Sequence, residues 1–328
     1  MTHYWLHYHL PYRCRHSGAC CTSGWPIPIE RGRQIEVARE IATGRVRADP
    51  VAWLREPAGL PAGIAGVLAT RADGACAFHR PPGDGQPGCA IHARRPASCE
   101  HFPFVCVTDP RGVHVTLSHY CPTAAALLFE DGEACIVEGP SVLADGGMPE
   151  GLDAREALPP VDQDERGPTP RLMSWEAVGA WERAYVRDVA SDRTVPDPPD
   201  LGLYEHARGA APPPWTWPAA PEATTDAWTA LVAPAWAGWA AVVGRYLAAR
   251  AHASWALHLG RGPADVAVAV QVARTVLQVE AVRQCASTGR PLDREQLMVA
   301  IRRSDLLLVH YADPDRLRTP ASAPARTR

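Results

Sequence analysis

Cysteine is the residue type whose number and spacing point most directly to chemistry in this sequence. Ten cysteines occur, eight of them between Cys14 and Cys121, and most of the 13 histidines precede residue 120. Cysteines of intracellular proteins stay reduced, and thiolate sulfur is a ligand for zinc and for iron–sulfur clusters. The clustering therefore predicts a metal-binding domain in the front part of the chain.

The spacing of the cysteines narrows the kind of centre. No C-x2-C pair occurs, so neither a zinc knuckle nor a ferredoxin-like run is predicted, and the ligands must come from separate loops. The vicinal pair Cys20–Cys21 is informative because adjacent side chains tend to point in different directions. The pair therefore favours a polynuclear or iron–sulfur centre, with a single zinc ion as the alternative.

Three ordered sequence blocks resemble the YkgJ-type cysteine-cluster family. The blocks are YRCRHSGACC (12–21), DGACAF (73–78) with GCAIHARRPASCEHFP (88–103), and LSHYCPTAAALL (117–128). The third block is similar to the flagellin lysine N-methylase branch of that family. The resemblance implies a zinc- or iron-chelating domain over about residues 12–130.

Motif positions of that family also imply the ligands. The matching residues are Cys14, Cys20, Cys21, Cys76, Cys89, Cys99 and Cys121. Cys106 and His16 are further candidates: Cys106 also fits a short strand at its position, and His16 lies with Ser17 in the stretch where the family carries one more cysteine. Cys135 and Cys285 are expected to be ordinary core cysteines.

The methylase branch implies a protein-lysine N-methyltransferase-like enzyme that acts on a protein or peptide. Only this resemblance implies S-adenosylmethionine as a cofactor, because the sequence has no G-x-G-x-x-G motif after a predicted strand. Catalytic and cofactor-binding residues stay unassigned. Two alternatives remain open at this point, namely an iron–sulfur electron-transfer protein and a non-catalytic module that binds zinc.

Composition excludes several classes of function. All 33 basic residues are arginine, which excludes a lysine nucleophile, a Schiff-base lysine and a phosphate-loop lysine. A formal net charge of −3 does not indicate a nucleic-acid surface. No signal peptide and no uninterrupted apolar span is found, so we expect a cytoplasmic protein without a membrane partner; the sequence leaves its oligomeric state open.

Patterning predicts a mainly α fold with irregular loops, in which a cysteine-rich metal-binding domain is followed by a helical C-terminal domain. The predicted boundaries are 1–135 for the cysteine cluster, 136–224 for a Pro- and Gly-rich connection, 225–311 for the helical domain and 312–328 for a disordered tail. Predicted helices cover about 174–192, capped by Ser174, and 226–249, 264–285 and 293–310.

Overall fold

The computed structural model describes residues 1–47, 52–81, 87–143, 146–147, 149–162, 171–213, 215–259 and 262–317. They form two compact units. The first unit comprises Met1–Tyr12 and Phe104–Arg328, and the second comprises Arg13–Pro103. Residues 1–12 and 104–135, which the sequence analysis places in the cysteine-cluster domain, therefore lie in the first unit.

The prediction of a mainly α fold is wrong. The chain is 47% helical and 14% strand, with several sheets, and the fold is mixed α/β. The two longest strands have only six residues each, and Gly112–Leu117 carries the apolar–polar alternation of a strand although every one of its residues is buried. Several other strands have only two residues, too few for a period to be recognised.

The strands, in chain order, are β1 (His3–Leu6), β2 (Pro28–Glu30), β3 (Leu54–Arg55), β4 (Ile64–Leu68), β5 (His79–Arg80), β6 (Gly88–Cys89), β7 (Phe104–Asp109), β8 (Gly112–Leu117), β9 (Ile136–Gly139), β10 (Leu152–Asp153), β11 (Val161–Asp162) and β12 (Arg171–Leu172). The helices are α1 (Arg31–Ala42), α2 (Ala97–His101), α3 (Pro122–Leu127), α4 (Trp175–Ser191), α5 (Leu201–Gly209), α6 (Thr224–Ala227), α7 (Ala233–Ala251), α8 (Ala256–Leu259), α9 (Pro263–Thr288), α10 (Arg294–Asp305) and α11 (Pro314–Leu317).

A five-stranded sheet of order β10-β7-β8-β1-β9 belongs to the first unit. Strands β7 and β8 form a tight hairpin in which Asp109 pairs with Gly112, and β1 lies parallel to β8 with Tyr4 opposite His114. Because β1 comes from the start of the chain, it can lie parallel to β8 without a tight turn that joins the two strands. This sheet holds the β7–β8 turn and His114 in a fixed register.

The helices of the first unit bury an extensive apolar core. Trp228 and Trp236 are each 2% exposed, and α9 is buried on almost every side, which hides the usual amphipathic pattern. The predicted helix at about 174–192 is confirmed as α4, and the Ser174 side chain accepts a hydrogen bond from the Ala177 N–H at its start. Helix α11 lies within the predicted disordered tail, whose residues 318–328 are outside the described part of the chain.

One helical segment, Thr224–Ala251, is long and apolar enough to cross a membrane by length and composition alone. The segment includes a π-helical turn, Trp228–Val232, and the buried Trp236 and Tyr246. Core helices of the same composition pass this test, so it carries little weight. The cytoplasmic location stays a prediction.

The second unit contains two small sheets, β2-β4-β3 and β5-β6, with helices α1 and α2. Its core is small and includes sulfur as well as hydrocarbon. Cys21 and Cys76 are buried together with Ile29, Val37 and Phe78, while Cys20, Cys89 and Cys99 pack against them. Five cysteines therefore belong to one core.

Helix α10 begins with a capping box that allows a stability test. The Asp293 carboxylate accepts a hydrogen bond from the Gln296 N–H at 2.9 Å, and the Gln296 side chain accepts one from the Asp293 N–H at 2.8 Å. We expect Asp293→Ala to lower the free energy of unfolding by about 1 kcal/mol, because a helix N–H loses its acceptor. The measurement is urea unfolding followed by circular dichroism. Asp293→Asn is the control and should stay near wild type; an equal loss in both variants would refute the capping role.

Candidate metal centre

Four cysteine thiols converge in the second unit. The Cys21 thiol lies in hydrogen-bonding contact with the thiols of Cys20, Cys76 and Cys89. These four residues come from three separated stretches of sequence, so the fold alone brings their sulfurs together. Cysteine sulfur is the donor that zinc and iron–sulfur clusters prefer, and Cys21 is the shared partner of the other three thiols.

The vicinal pair lies on a 3-10 turn, Ala19–Cys21, which follows Gly18. Gly18 has a left-handed φ of +73°, and a Cβ there would lie 2.6 Å from His79 Nε2, so this position requires glycine. The turn directs the Cys20 and Cys21 thiols to the same place. Adjacent side chains tend to diverge, but here the Cys20 and Cys21 thiols contact each other.

A tight turn and a short hairpin position the next two cysteines. Asp73 accepts a hydrogen bond from the Ala75 N–H at 3.0 Å, which closes the turn before Cys76. The Cys76 N–H then donates to the Cys21 carbonyl at 2.7 Å, so these two ligand candidates are joined through the backbone. Cys89 lies in β6, opposite His79 of β5.

Cys99 enters the same core from α2. The Glu30 side chain accepts a hydrogen bond from the Ala97 N–H at 3.1 Å and so satisfies a donor at the start of that helix. Arg95, before Pro96, has the extended conformation predicted for a residue that precedes proline (φ −66°, ψ 150°). The loop therefore delivers both a cation and a cysteine to the thiol cluster.

Electrostatics within the cluster favour thiolate at three cysteines and the thiol at two. The hydrogen bonds that the Cys21 thiol donates to Cys20, Cys76 and Cys89, followed by burial, raise the pKa of Cys21 far above its ordinary value. The hydrogen bond to Cys21 is also the largest cause that lowers the pKa of the Cys20, Cys76 and Cys89 thiols. Burial raises the pKa of the Cys99 thiol, while the charge of Arg95 opposes that rise. A bound cation would stabilise all of the thiolates, since thiolate is the form that ligates metals.

Cys14, His16 and His92 form a second group in the same unit. One potential ligand atom from each residue lies within 4.8 Å of the others, and the two imidazole rings are 4.0 Å apart. Burial, then the charges of Arg95 and His16, lowers the pKa of His92 to about 4, so this imidazole is neutral at pH 7 and can act as a nitrogen ligand. The sequence analysis proposes Cys14 and His16; His92 completes their group.

Cys106 and Cys121 lie in the first unit. Cys106 is buried in β7, and burial raises the pKa of its thiol to about 12, which fits a core cysteine rather than a thiolate ligand. Cys121 precedes α3, with the Tyr12 hydroxyl 3.8 Å from its sulfur. The convergence seen for Cys20, Cys21, Cys76 and Cys89 thus comes entirely from residues 13–103.

Gly88 lets the chain pass close to His16 beside the cluster. Its φ is +111°, and a Cβ would lie 2.6 Å from the His16 carbonyl oxygen. We expect Gly88→Ala to lower the free energy of unfolding by about 1–3 kcal/mol more than left-handed backbone strain alone would, because the added Cβ forces the backbone to move. Urea unfolding of the second unit, followed by tryptophan fluorescence, measures the loss.

Gly59→Ala is the matched control for that substitution. Gly59 has a φ of +80° in the same unit, with no described atom within 4 Å of its added Cβ. It should lose only the roughly 1–2 kcal/mol that a left-handed conformation costs an L-residue. Equal losses at Gly59 and Gly88 would show that the close approach to His16 does not constrain the unit.

Comparison with known proteins gives one match. Neither the curated proteins nor the solved structures contain a match to this chain. Residues 13–122 match the family model CxxCxxCC, described as "Putative zinc- or iron-chelating domain". In the pattern of that name, Cys14, Cys20 and Cys21 take three of the four cysteine positions and Ser17 takes the other. Residues 13–122 are thus similar to this zinc- or iron-chelating domain, which supports metal binding by the cysteine-rich part of the chain.

Proposed function

We propose that the second unit binds an iron–sulfur cluster through the thiolates of Cys20, Cys21, Cys76 and Cys89. The observation that carries the proposal is the contact of the Cys21 thiol with the other three. A cysteine-ligated iron–sulfur cluster is usually bound by four thiolates, each from a different cysteine. Cys99 adds a fifth sulfur in the same core, one more than either a cluster with four cysteine ligands or a tetrahedral ion requires.

Side chains around the thiols fit a negatively charged centre. The charge of Arg95 favours thiolate at Cys20, Cys89 and Cys99, and that of Arg71 favours it at Cys76. Cys20, Cys89 and Cys99 are only half-buried, so a bound centre would lie near the surface. When bound, an iron–sulfur cluster supplies one-electron transfer. The positive charges of the arginines would then offset the negative charge of the centre.

Zinc is the second candidate, and one observation favours it. Because the Cys20 and Cys21 thiols point to the same place, the vicinal pair does not require two metals. Four thiolates around one zinc ion form a common structural site, which would stabilise the small core of the second unit. Methyl transfer, implied by the resemblance of residues 117–128, stays a prediction, as do S-adenosylmethionine and a protein or peptide substrate.

The deciding experiment is metal and acid-labile sulfide analysis of the anaerobically purified full chain, together with its visible spectrum. We expect iron and sulfide in near-equal amounts and broad visible absorption. Zinc without sulfide and without colour would overturn the iron–sulfur proposal and leave the zinc module. A chain that retains neither metal would overturn metal binding by these thiols.

Two cysteine substitutions test the ligand assignment. We expect Cys21→Ser to lose most of the bound metal, because its thiol contacts the three other proposed ligands. Cys135→Ser is the control, since Cys135 is a half-exposed cysteine of the first unit. Metal per chain is measured by mass spectrometry and compared with the wild type. Full metal content in Cys21→Ser would remove Cys21 from the ligand set.

A further inference from the structure

We propose that the first unit holds a second metal site, in which His114, Glu182 and His252 bind a divalent transition metal such as zinc. The three residues are buried, and one potential ligand atom of each lies within 4.8 Å of the others. This site uses nitrogen and oxygen and lies entirely within the first unit. It is therefore chemically distinct from the thiol cluster of the second unit.

Three elements of the first unit bring these side chains together. His114 lies on β8, Glu182 lies in α4, and His252 directly follows α7. Gly244 allows α7 to approach α4, because a Cβ there would lie 2.5 Å from the Ala190 carbonyl oxygen. The site thus depends on sheet and helix packing rather than on a local loop.

Both ring nitrogens of His252 face hydrogen-bond acceptors. Its Nδ1 lies 2.9 Å from the Glu182 carboxylate and its Nε2 lies 3.3 Å from the Tyr4 carbonyl oxygen. Both partners are acceptors, whereas a neutral imidazole has only one N–H to donate. Either an extra proton or a metal ion at Nδ1 must satisfy this arrangement.

His114 also has a ring nitrogen that makes no hydrogen bond. Its Nε2 can donate to Asp109, 3.2 Å away, and its buried Nδ1 has no hydrogen-bond partner. That Nδ1 lies 3.8 Å from the second oxygen of Glu182, too far for a hydrogen bond. The Nδ1 lone pair and the carboxylate repel each other unless a cation lies between them.

The separations suit ligands of one ion. Zinc lies about 2.0–2.2 Å from nitrogen and oxygen ligands, so two ligand atoms of one ion lie at most about 4.4 Å apart. The distances of 2.9 and 3.8 Å between the histidine nitrogens and Glu182 fall within that limit. Both outer ring nitrogens face a carboxylate or a carbonyl, as those of metal-bound histidines do.

Net charge supports the same conclusion. Asp109 and Glu182 are both buried, and Arg111 contacts both, at 2.6 and 2.8 Å. Two carboxylates and one guanidinium leave one uncompensated negative charge in the interior, which is costly without a further cation. A divalent ion offsets that charge while both imidazoles stay neutral, whereas without an ion one imidazole must carry a proton.

A cavity of about 250 Å³ gives access to the site. Its wall includes His114, Glu182, Arg111 and Arg183, together with the ring of Trp175. A water could reach a fourth coordination position from this side. Three protein ligands with one open position is the arrangement of catalytic zinc sites.

The test uses cobalt(II) as the probe on the full chain after chelator treatment. Cobalt bound by thiolates absorbs strongly in the near ultraviolet, whereas cobalt bound by nitrogen and oxygen gives weak visible bands alone. We expect wild type to bind one equivalent without thiolate absorption, in addition to any metal at the cysteines. We expect His114→Gln to lose that equivalent and keep the thiolate absorption.

Two further variants separate ligation from folding. His310→Gln removes another buried histidine of the first unit, one that contacts Ser118, and should leave cobalt binding unchanged. Asp109→Asn keeps all three ligands and should weaken affinity by about 10–100-fold, because it alters the partner of a ligand. Circular dichroism verifies that each variant is folded.

The outcomes are decisive even if a variant does not fold. A wild-type chain that binds cobalt through thiolates alone would overturn the proposal, as would an unchanged stoichiometry in folded His114→Gln. If wild type shows no thiolate absorption but still binds one equivalent of cobalt through nitrogen and oxygen, the proposed cysteine centre is refuted and the second site is not. The two proposals therefore fail separately.

Discussion

Contact among buried thiols is the interaction on which the second unit depends. Cys21 occupies the middle of that contact and also lies in the unit's small apolar core, beside residues such as Phe78 and Ile29. Neighbouring thiolates repel one another, and burial adds to the cost of each charge. Without a cation the sulfurs must hold protons, whereas with one they can hold the strands and turns around them together.

The local backbone follows from that requirement. Gly18 and Gly88 occupy left-handed or crowded positions where a Cβ would meet a histidine, and both lie beside cysteines. The short turns that carry Cys21 and Cys76 are joined by a backbone hydrogen bond. A unit built from such short elements buries little apolar surface, so ligand–metal bonds would contribute much of its stability.

The first unit solves a different problem. Its helices bury enough apolar surface to be stable without sulfur ligands, and it uses that interior to hold ionised groups. Asp109, Arg111 and Glu182 form one buried network, and Asp305 with His119 and Tyr246 forms another. Buried charges persist when their partners are well placed, and unpaired ring nitrogens within such networks are therefore informative.

The sequence by itself determined the chemistry of the front part and several helices. Cysteine type and spacing indicated metal binding, and the Ser174 cap marked a helix start, because ligand identity and capping are local properties. Tertiary structure decided the mixed α/β fold, since the main sheet joins strands that are far apart in the chain, such as β1 and β8. It also decided that Cys20 and Cys21 point together, that His92 joins Cys14, and that His114, Glu182 and His252 meet. Those groupings join residues far apart in the chain, and no local pattern records which distant side chains the packing of strands and helices will bring into contact.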